Sequence, residues 1–171
     1  MDYKEQKLAE NERGKLYFMV GSARSGKSTY SKEISKEYNA SIISPDSFRL
    51  AIYNSGWWVE GEKMVSSHVD VAVRAMLING TNVLIDETNV LPNKRKRWRE
   101  LGGQGFYVEC PLEVCLSRAN EENNAGFKDN IREMHAALEG FDPHDPEEKI
   151  LRILATHDGK TYNESIAWTS S

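Results

Sequence analysis

Residues 21–28 read Gly-Ser-Ala-Arg-Ser-Gly-Lys-Ser, directly after the apolar run Leu16-Tyr17-Phe18-Met19-Val20. The octapeptide satisfies GxxxxGK[ST] at every fixed position. At ordinary glycine usage an accidental match arises on the order of once in a few hundred chains of this length. The spacing has a physical basis. Gly21 lets the chain leave a strand tightly, and Gly26 lets backbone approach an anion where a Cβ would intrude. The N–H groups of Ser22, Ala23, Arg24 and Ser25, with the helix start through Thr29, then point at phosphate. Lys27 reaches the β- and γ-phosphates of a nucleotide such as ATP, and the Ser28 hydroxyl ligates Mg²⁺. A chain bearing this loop must place a buried strand before it and a helix after it.

The rest of the sequence continues that alternation. Leu16–Val20 is apolar on both faces, as a buried parallel strand requires. Ser28–Tyr38 reads as a helix, Ser41–Ser44 as a strand closed by Pro45, and Asp46–Tyr53 as a helix. Val65, Val69, Val73, Met76 and Leu77 mark a helix over Glu62–Asn79 that Gly80 stops. Asn82–Ile85 is a third strand. Pro92–Leu101 is a helix begun by its proline and ended by Gly102-Gly103. Phe106–Val108 is a fourth strand, and Lys149–Leu154 a fifth. Leu112–Asn123 and Lys128–Leu138 read as helices around an Asn/Gly break. The pattern predicts an α/β fold with a central, mainly parallel, five-stranded sheet flanked by helices. Residues 1–14 read as a polar extension, 15–155 as one domain, and 156–171 as an ambiguous tail. Ligands are expected beyond the carboxyl ends of the strands.

Composition narrows the class. The chain has 171 residues, 39% hydrophobic and 28% charged, with a net charge of −4. That suits one core-forming domain and excludes a polycation. No apolar run approaches a membrane span. Cys110 and Cys115 have neither zinc-site nor CxxC spacing, so a reducing, cytoplasmic compartment is the expectation.

Carboxylates follow two strands. Asp46 lies after the second and fits two roles: a helix N-cap, or a base drawing the proton from an acceptor hydroxyl. Arg49 lies one turn on, placed to hold an anionic substrate group. Asp86, at the end of Val83-Leu84-Ile85, has the Walker-B position and is the first choice for the metal shell, with Glu87 second. Thr88 and Asn89 either order this loop or touch substrate.

GSARSGKST, SPDSFR, VLIDETN and YVECPLEVCLSR, in this order, resemble the small P-loop kinases of the polynucleotide 5′-kinase type. The similarity runs from about Leu16 to Leu154. It implies a P-loop kinase core with a helical lid, using ATP and Mg²⁺. It implies Asp46 as general base, Arg49 on the substrate phosphate, and Arg118 as a lid arginine over the ATP phosphates. A second lid arginine of the family falls here at Glu122, where an acid repels triphosphate; Arg24 and Arg132 are candidate substitutes. The resemblance does not extend to a phosphatase domain.

The acceptor is less legible. Five of the six residues Lys94–Arg99 are cations. They could track a nucleic-acid backbone, yet helix neighbours point about 100° apart, which favours a solvated surface. Trp57 and Trp58 fit base stacking or loop anchoring. The reading is thus an ATP-dependent kinase acting on the 5′-hydroxyl of a nucleic acid. Two alternatives stay open: a kinase for a small-molecule hydroxyl, and a nucleotide-binding switch without an acceptor.

Overall fold

The computed structural model describes residues 12–54, 59–120, 125–157 and 160–166. Six strands form one sheet in the order β2-β3-β1-β4-β5-β6. They are β1 (Leu16–Val20), β2 (Ala40–Ile43), β3 (Asn82–Ile85), β4 (Gln104–Glu109), β5 (Ile150–His157) and β6 (Lys160–Ser165). The helices are α1 (Lys27–Glu37), α2 (Pro45–Tyr53), α3 (Glu62–Ile78), α4 (Pro92–Glu100), α5 (Leu112–Ala119) and α6 (Ala125–Ala137). Among the described residues no helix is long and apolar enough to cross a membrane.

β1 pairs in parallel with β3 on one side and β4 on the other. All five of its residues are buried. Strand alternation divides them between two layers. Leu16, Phe18 and Val20 pack with Val65, Val69 and Val73 of α3 and Trp98 of α4. Tyr17 and Met19 pack on the opposite face with Tyr30 and Ile34 of α1. The winding reverses at β1, between the β2–β3 side and the β4–β5 side. The loop after β1 therefore opens into the crevice where parallel sheets bind ligands.

The sheet has six strands rather than the expected five. β6 is antiparallel to β5, from Arg152↔Ser165 to His157↔Lys160. Its sequence, KTYNES, is polar because an edge strand needs little apolar content, and backbone pairing carries it. β4 and β5 are also longer than their apolar cores, and α6 begins at Ala125 rather than Lys128. α5 is described to Ala119, short of the expected Asn123. Glu122, Trp57 and Trp58 lie outside the described residues.

Local signals at α4 worked as the residues demand. Gly102 has φ +82°, and Gly103 N donates to Trp98 O at 2.9 Å. A Cβ on Gly103 would stand 2.7 Å from Trp98 O, so only glycine fits there.

Candidate active site

The turn from β1 into α1 builds a compact loop. Gly21 N donates to Thr88 O at 2.9 Å, tying this loop to the exit of β3. Ser25 N donates to Ser22 O at 3.3 Å. Lys27 Nζ donates to the same carbonyl at 2.9 Å. Ser25 Oγ is buried without a hydrogen-bond partner among the described residues. Arg24 takes a left-handed φ of +63° and Gly26 one of +102°. Gly26 is the N-cap of α1 and brings no capping side chain, which leaves the first helical N–H groups for an anion.

Charge converges on Lys27. Burial pulls its pKa down, while Asp86, Cys115 and Asp46 push it back up. The ends of β2 and β3 thus bring Asp46 and Asp86 within electrostatic reach of the loop lysine. Across the loop, Arg118 Nη1 donates to Arg24 O at 3.0 Å. α6 touches the same loop: Ala23 N lies 3.4 Å from Met134 Sδ, and the Arg24 guanidinium sits 5.6 Å from the Phe127 ring centre.

Asp46 is not the N-cap of α2. Ser44 Oγ takes that place, accepting from Asp46 N at 3.3 Å, with Pro45 in the first turn. The Asp46 side chain is 83% exposed and pairs with Arg49 Nη1. Arg49 also grips Glu62 with two parallel bonds of 2.7 Å. Donating to Glu62 raises the Arg49 pKa, and the same bond holds the Glu62 carboxyl down. Arg49 is thus a fixed cation beside an exposed carboxylate. Next to them lies a small cleft, part open to solvent, between α2, α3 and α4. Glu87, Lys94, Arg97 and Ser66 also line it, over Val65 and Val69. Glu87 Oε2 is buried there without a hydrogen-bond partner among the described residues.

A family model described as an AAA domain matches residues 16–143. The chain belongs to this AAA-domain family. Membership implies nucleotide binding, typically with Mg²⁺, on the P-loop NTPase fold. No curated protein matches the chain significantly. Among solved structures, a chain of the Pnkp1/Rnl/Hen1 RNA repair complex superposes with a TM-score of 0.63 at 24% identity, over 79% of this chain and 49% of that one. The chain spans about half the length of that relative. A gluconokinase from Sinorhizobium meliloti 1021 gives 0.57 at 15% identity, over 84% of this chain and 83% of that one. A shikimate kinase in complex with shikimate, from Acinetobacter baumannii, gives 0.55 at 11%, over 88% and 89%.

The contacts decide between the alternatives left open at two places. Asn89 does not face a substrate. It is 1% exposed, with Nδ2 on Met19 O at 2.8 Å and Oδ1 accepting from Trp98 Nε1 at 3.1 Å. Both ends of its amide are used inside the core, so it positions the β3 exit. The cations of α4 do not form a free track either. Lys94 pairs with Glu87, Arg95 and Arg99 with Glu148, Lys96 with Glu100, and Arg97 with Asp70. Arg132 pairs with Asp129 at 2.8 Å on an exposed face of α6. Glu62 and Ser66 went unread because nothing in sequence links them to Asp46; the helix pair α2 and α3 does.

Gly26→Ala tests the loop. An added Cβ would meet nothing closer than 3.9 Å, so the cost is conformational. Holding alanine at φ +102° costs about 1–2 kcal/mol. Nucleotide affinity, read with a fluorescent ATP analogue, is expected to fall roughly tenfold while the fold persists.

Proposed function

We propose that this chain is an ATP-dependent kinase that transfers a γ-phosphoryl group to a hydroxyl, foremost the 5′-hydroxyl of a nucleic acid. One observation carries the reading. An exposed carboxylate, Asp46, influences the phosphate-loop lysine electrostatically and pairs with Arg49, which lines a charged cleft open to solvent. A switch protein without an acceptor needs neither the pocket nor the carboxylate.

The roles follow from position. Gly21–Thr29 cradles the nucleotide phosphates, with Lys27 leaving Ser22 O to meet the β/γ oxygens. Asp46 accepts the proton from the acceptor hydroxyl. Arg49, held by Glu62, orients the acceptor from the pocket side, and Thr88 shares that rim. Arg118 lies over the loop where charge spreads onto the phosphoryl oxygens. The donor chemistry fits a hard divalent cation: Ser28 opens α1, and Asp86 stands within reach of Lys27. Mg²⁺ bound there supplies neutralisation of phosphate charge.

The order of the four motifs and the likeness to the Pnkp1 chain support a nucleic-acid end as acceptor. A second reading has its own support. The α4 cations are all engaged by carboxylates, and the gluconokinase and shikimate kinase share the fold over most of their lengths. In that reading the pocket takes a compact small-molecule alcohol. The decisive assay offers γ-labelled ATP and Mg²⁺ with 5′-hydroxyl DNA and RNA oligonucleotides, against nucleosides, gluconate, shikimate and other polyols. Label on oligonucleotides is the expected result. Label confined to a small alcohol establishes the second reading, and no label on any hydroxyl rejects the kinase reading.

A further inference from the structure

Cys110 follows β4, and Cys115 lies in α5 three residues before Arg118. Both are buried, at 7% and 0% exposure, in a small cluster with Ala119 and Ile131. The two thiols pack together in that cluster, with no disulfide between them. Arg118 Nη1 approaches Cys110 Sγ at 3.7 Å and also donates to Arg24 O at 3.0 Å. One guanidinium therefore bridges the sulfur and the phosphate loop. A packing role for Cys110 needs no cation at its sulfur, whereas a thiolate gains from one.

The electrostatics agree with the contacts. Interaction with the neighbouring Cys115 side chain and the Arg118 charge, opposed by burial, draws the Cys110 pKa below its ordinary value, while Cys115 is pushed up by its neighbour and by burial. The cation stands on Cys110, which makes that sulfur the one placed to attack.

We propose that Cys110 and Cys115 are a peroxide-sensitive pair whose oxidation to a disulfide releases Arg118 from the phosphate loop and weakens nucleotide binding. The Cys110 thiolate attacks one oxygen of hydrogen peroxide, giving Cys110 sulfenic acid and hydroxide. The Cys115 sulfur then attacks the sulfenyl sulfur. The S–S bond forms as hydroxide leaves and takes the Cys115 proton as water. The oxidant is a peroxide, and a small thiol reverses the bond. Closing from a packed contact to a disulfide at about 2.05 Å moves the first turn of α5. Arg118 lies three residues on, close to the same helix face, and loses its thiolate partner in the same step.

The test uses the full chain and reads nucleotide binding, so it does not depend on which acceptor is correct. After hydrogen peroxide, two free thiols are expected to disappear, with a mass loss of two hydrogens. Affinity for a fluorescent ATP analogue is expected to fall roughly tenfold, the scale of one charge-assisted hydrogen bond. Dithiothreitol restores both. Cys115→Ser is expected to stop at a sulfenic acid that dimedone captures. Cys110→Ser is expected to keep its own affinity through the same treatment. Cys115→Ala, with circular dichroism of each variant, guards against a packing defect caused by a buried hydroxyl in Cys115→Ser. The proposal fails if both thiols survive peroxide. It also fails if the disulfide forms with affinity unchanged, or if Cys110→Ser loses affinity as the parent does.

Discussion

Asp46→Asn is expected to slow phosphoryl transfer about a thousandfold while nucleotide affinity stays within about twofold. Asparagine keeps the shape of the side chain and an oxygen for the Arg49 contact. It cannot take a proton. The exposed site makes the comparison clean, because 83% of the side chain faces solvent. Ser44 already caps α2, so the variant loses only a first-turn negative charge, worth under about 1 kcal/mol. Its melting temperature should therefore stay close to that of the parent. The assay is single-turnover transfer from γ-labelled ATP, with the analogue affinity measured in parallel. Transfer at the parent rate would remove Asp46 from the base role and leave the P-loop assignment standing. A parallel fall in nucleotide affinity would point instead to the charge that Asp46 places near Lys27.

Why some of this was readable, and some was not, follows from where each signal resides. The spans of β1 and β3 match their expected bounds, because buried parallel strands need apolar side chains on both faces. The phosphate loop is legible because its glycines are demanded by backbone geometry, which composition cannot mimic. β6 escaped because an edge strand draws on backbone pairing, and KTYNES carries no alternation of hydropathy. Asp46 was ambiguous because aspartate suits both a cap and a base; the bond from Asp46 N to Ser44 Oγ gives the cap to Ser44. Asn89 was left between two roles for a similar reason. A polar residue at a strand end looks like a ligand group until its amide is seen to span Met19 and Trp98. The run Lys94–Arg99 shows the limit most plainly. Its partners Asp70 and Glu148 lie 27 and 53 residues from Arg97 and Arg95. No local pattern records such pairings.

Arg95→Met is expected to cost about 3–5 kcal/mol, the range for breaking a buried ion pair by removing one partner. For a domain of this size that lowers the melting temperature by roughly 10 °C. Arg95 is 2% exposed and spends every part of its guanidinium. Nε and Nη2 hold Glu148 at 2.9 and 3.1 Å. Nη1 donates to Asn89 O at 3.1 Å and Val90 O at 2.7 Å. The group also stacks 4.5 Å from the Phe141 ring centre. Methionine replaces the stem but leaves two carbonyls without this donor and Glu148 with Arg99 alone. The damage reaches the site through the chain. Asn89 and Val90 continue the loop that carries Asp86, Glu87 and Thr88, and Thr88 O receives the Gly21 N–H. Nucleotide affinity should therefore fall along with stability. Lys96→Met, on the same helix but 68% exposed and 3.7 Å from Glu100, is the matched control and should change stability by less than about 0.5 kcal/mol. Thermal denaturation of the two variants side by side separates a buried clamp from a run of surface charge. If Arg95→Met melted within a degree or two of Lys96→Met, Arg95 would be no anchor for the β3 exit, and Asn89 and Trp98 would hold that loop without it.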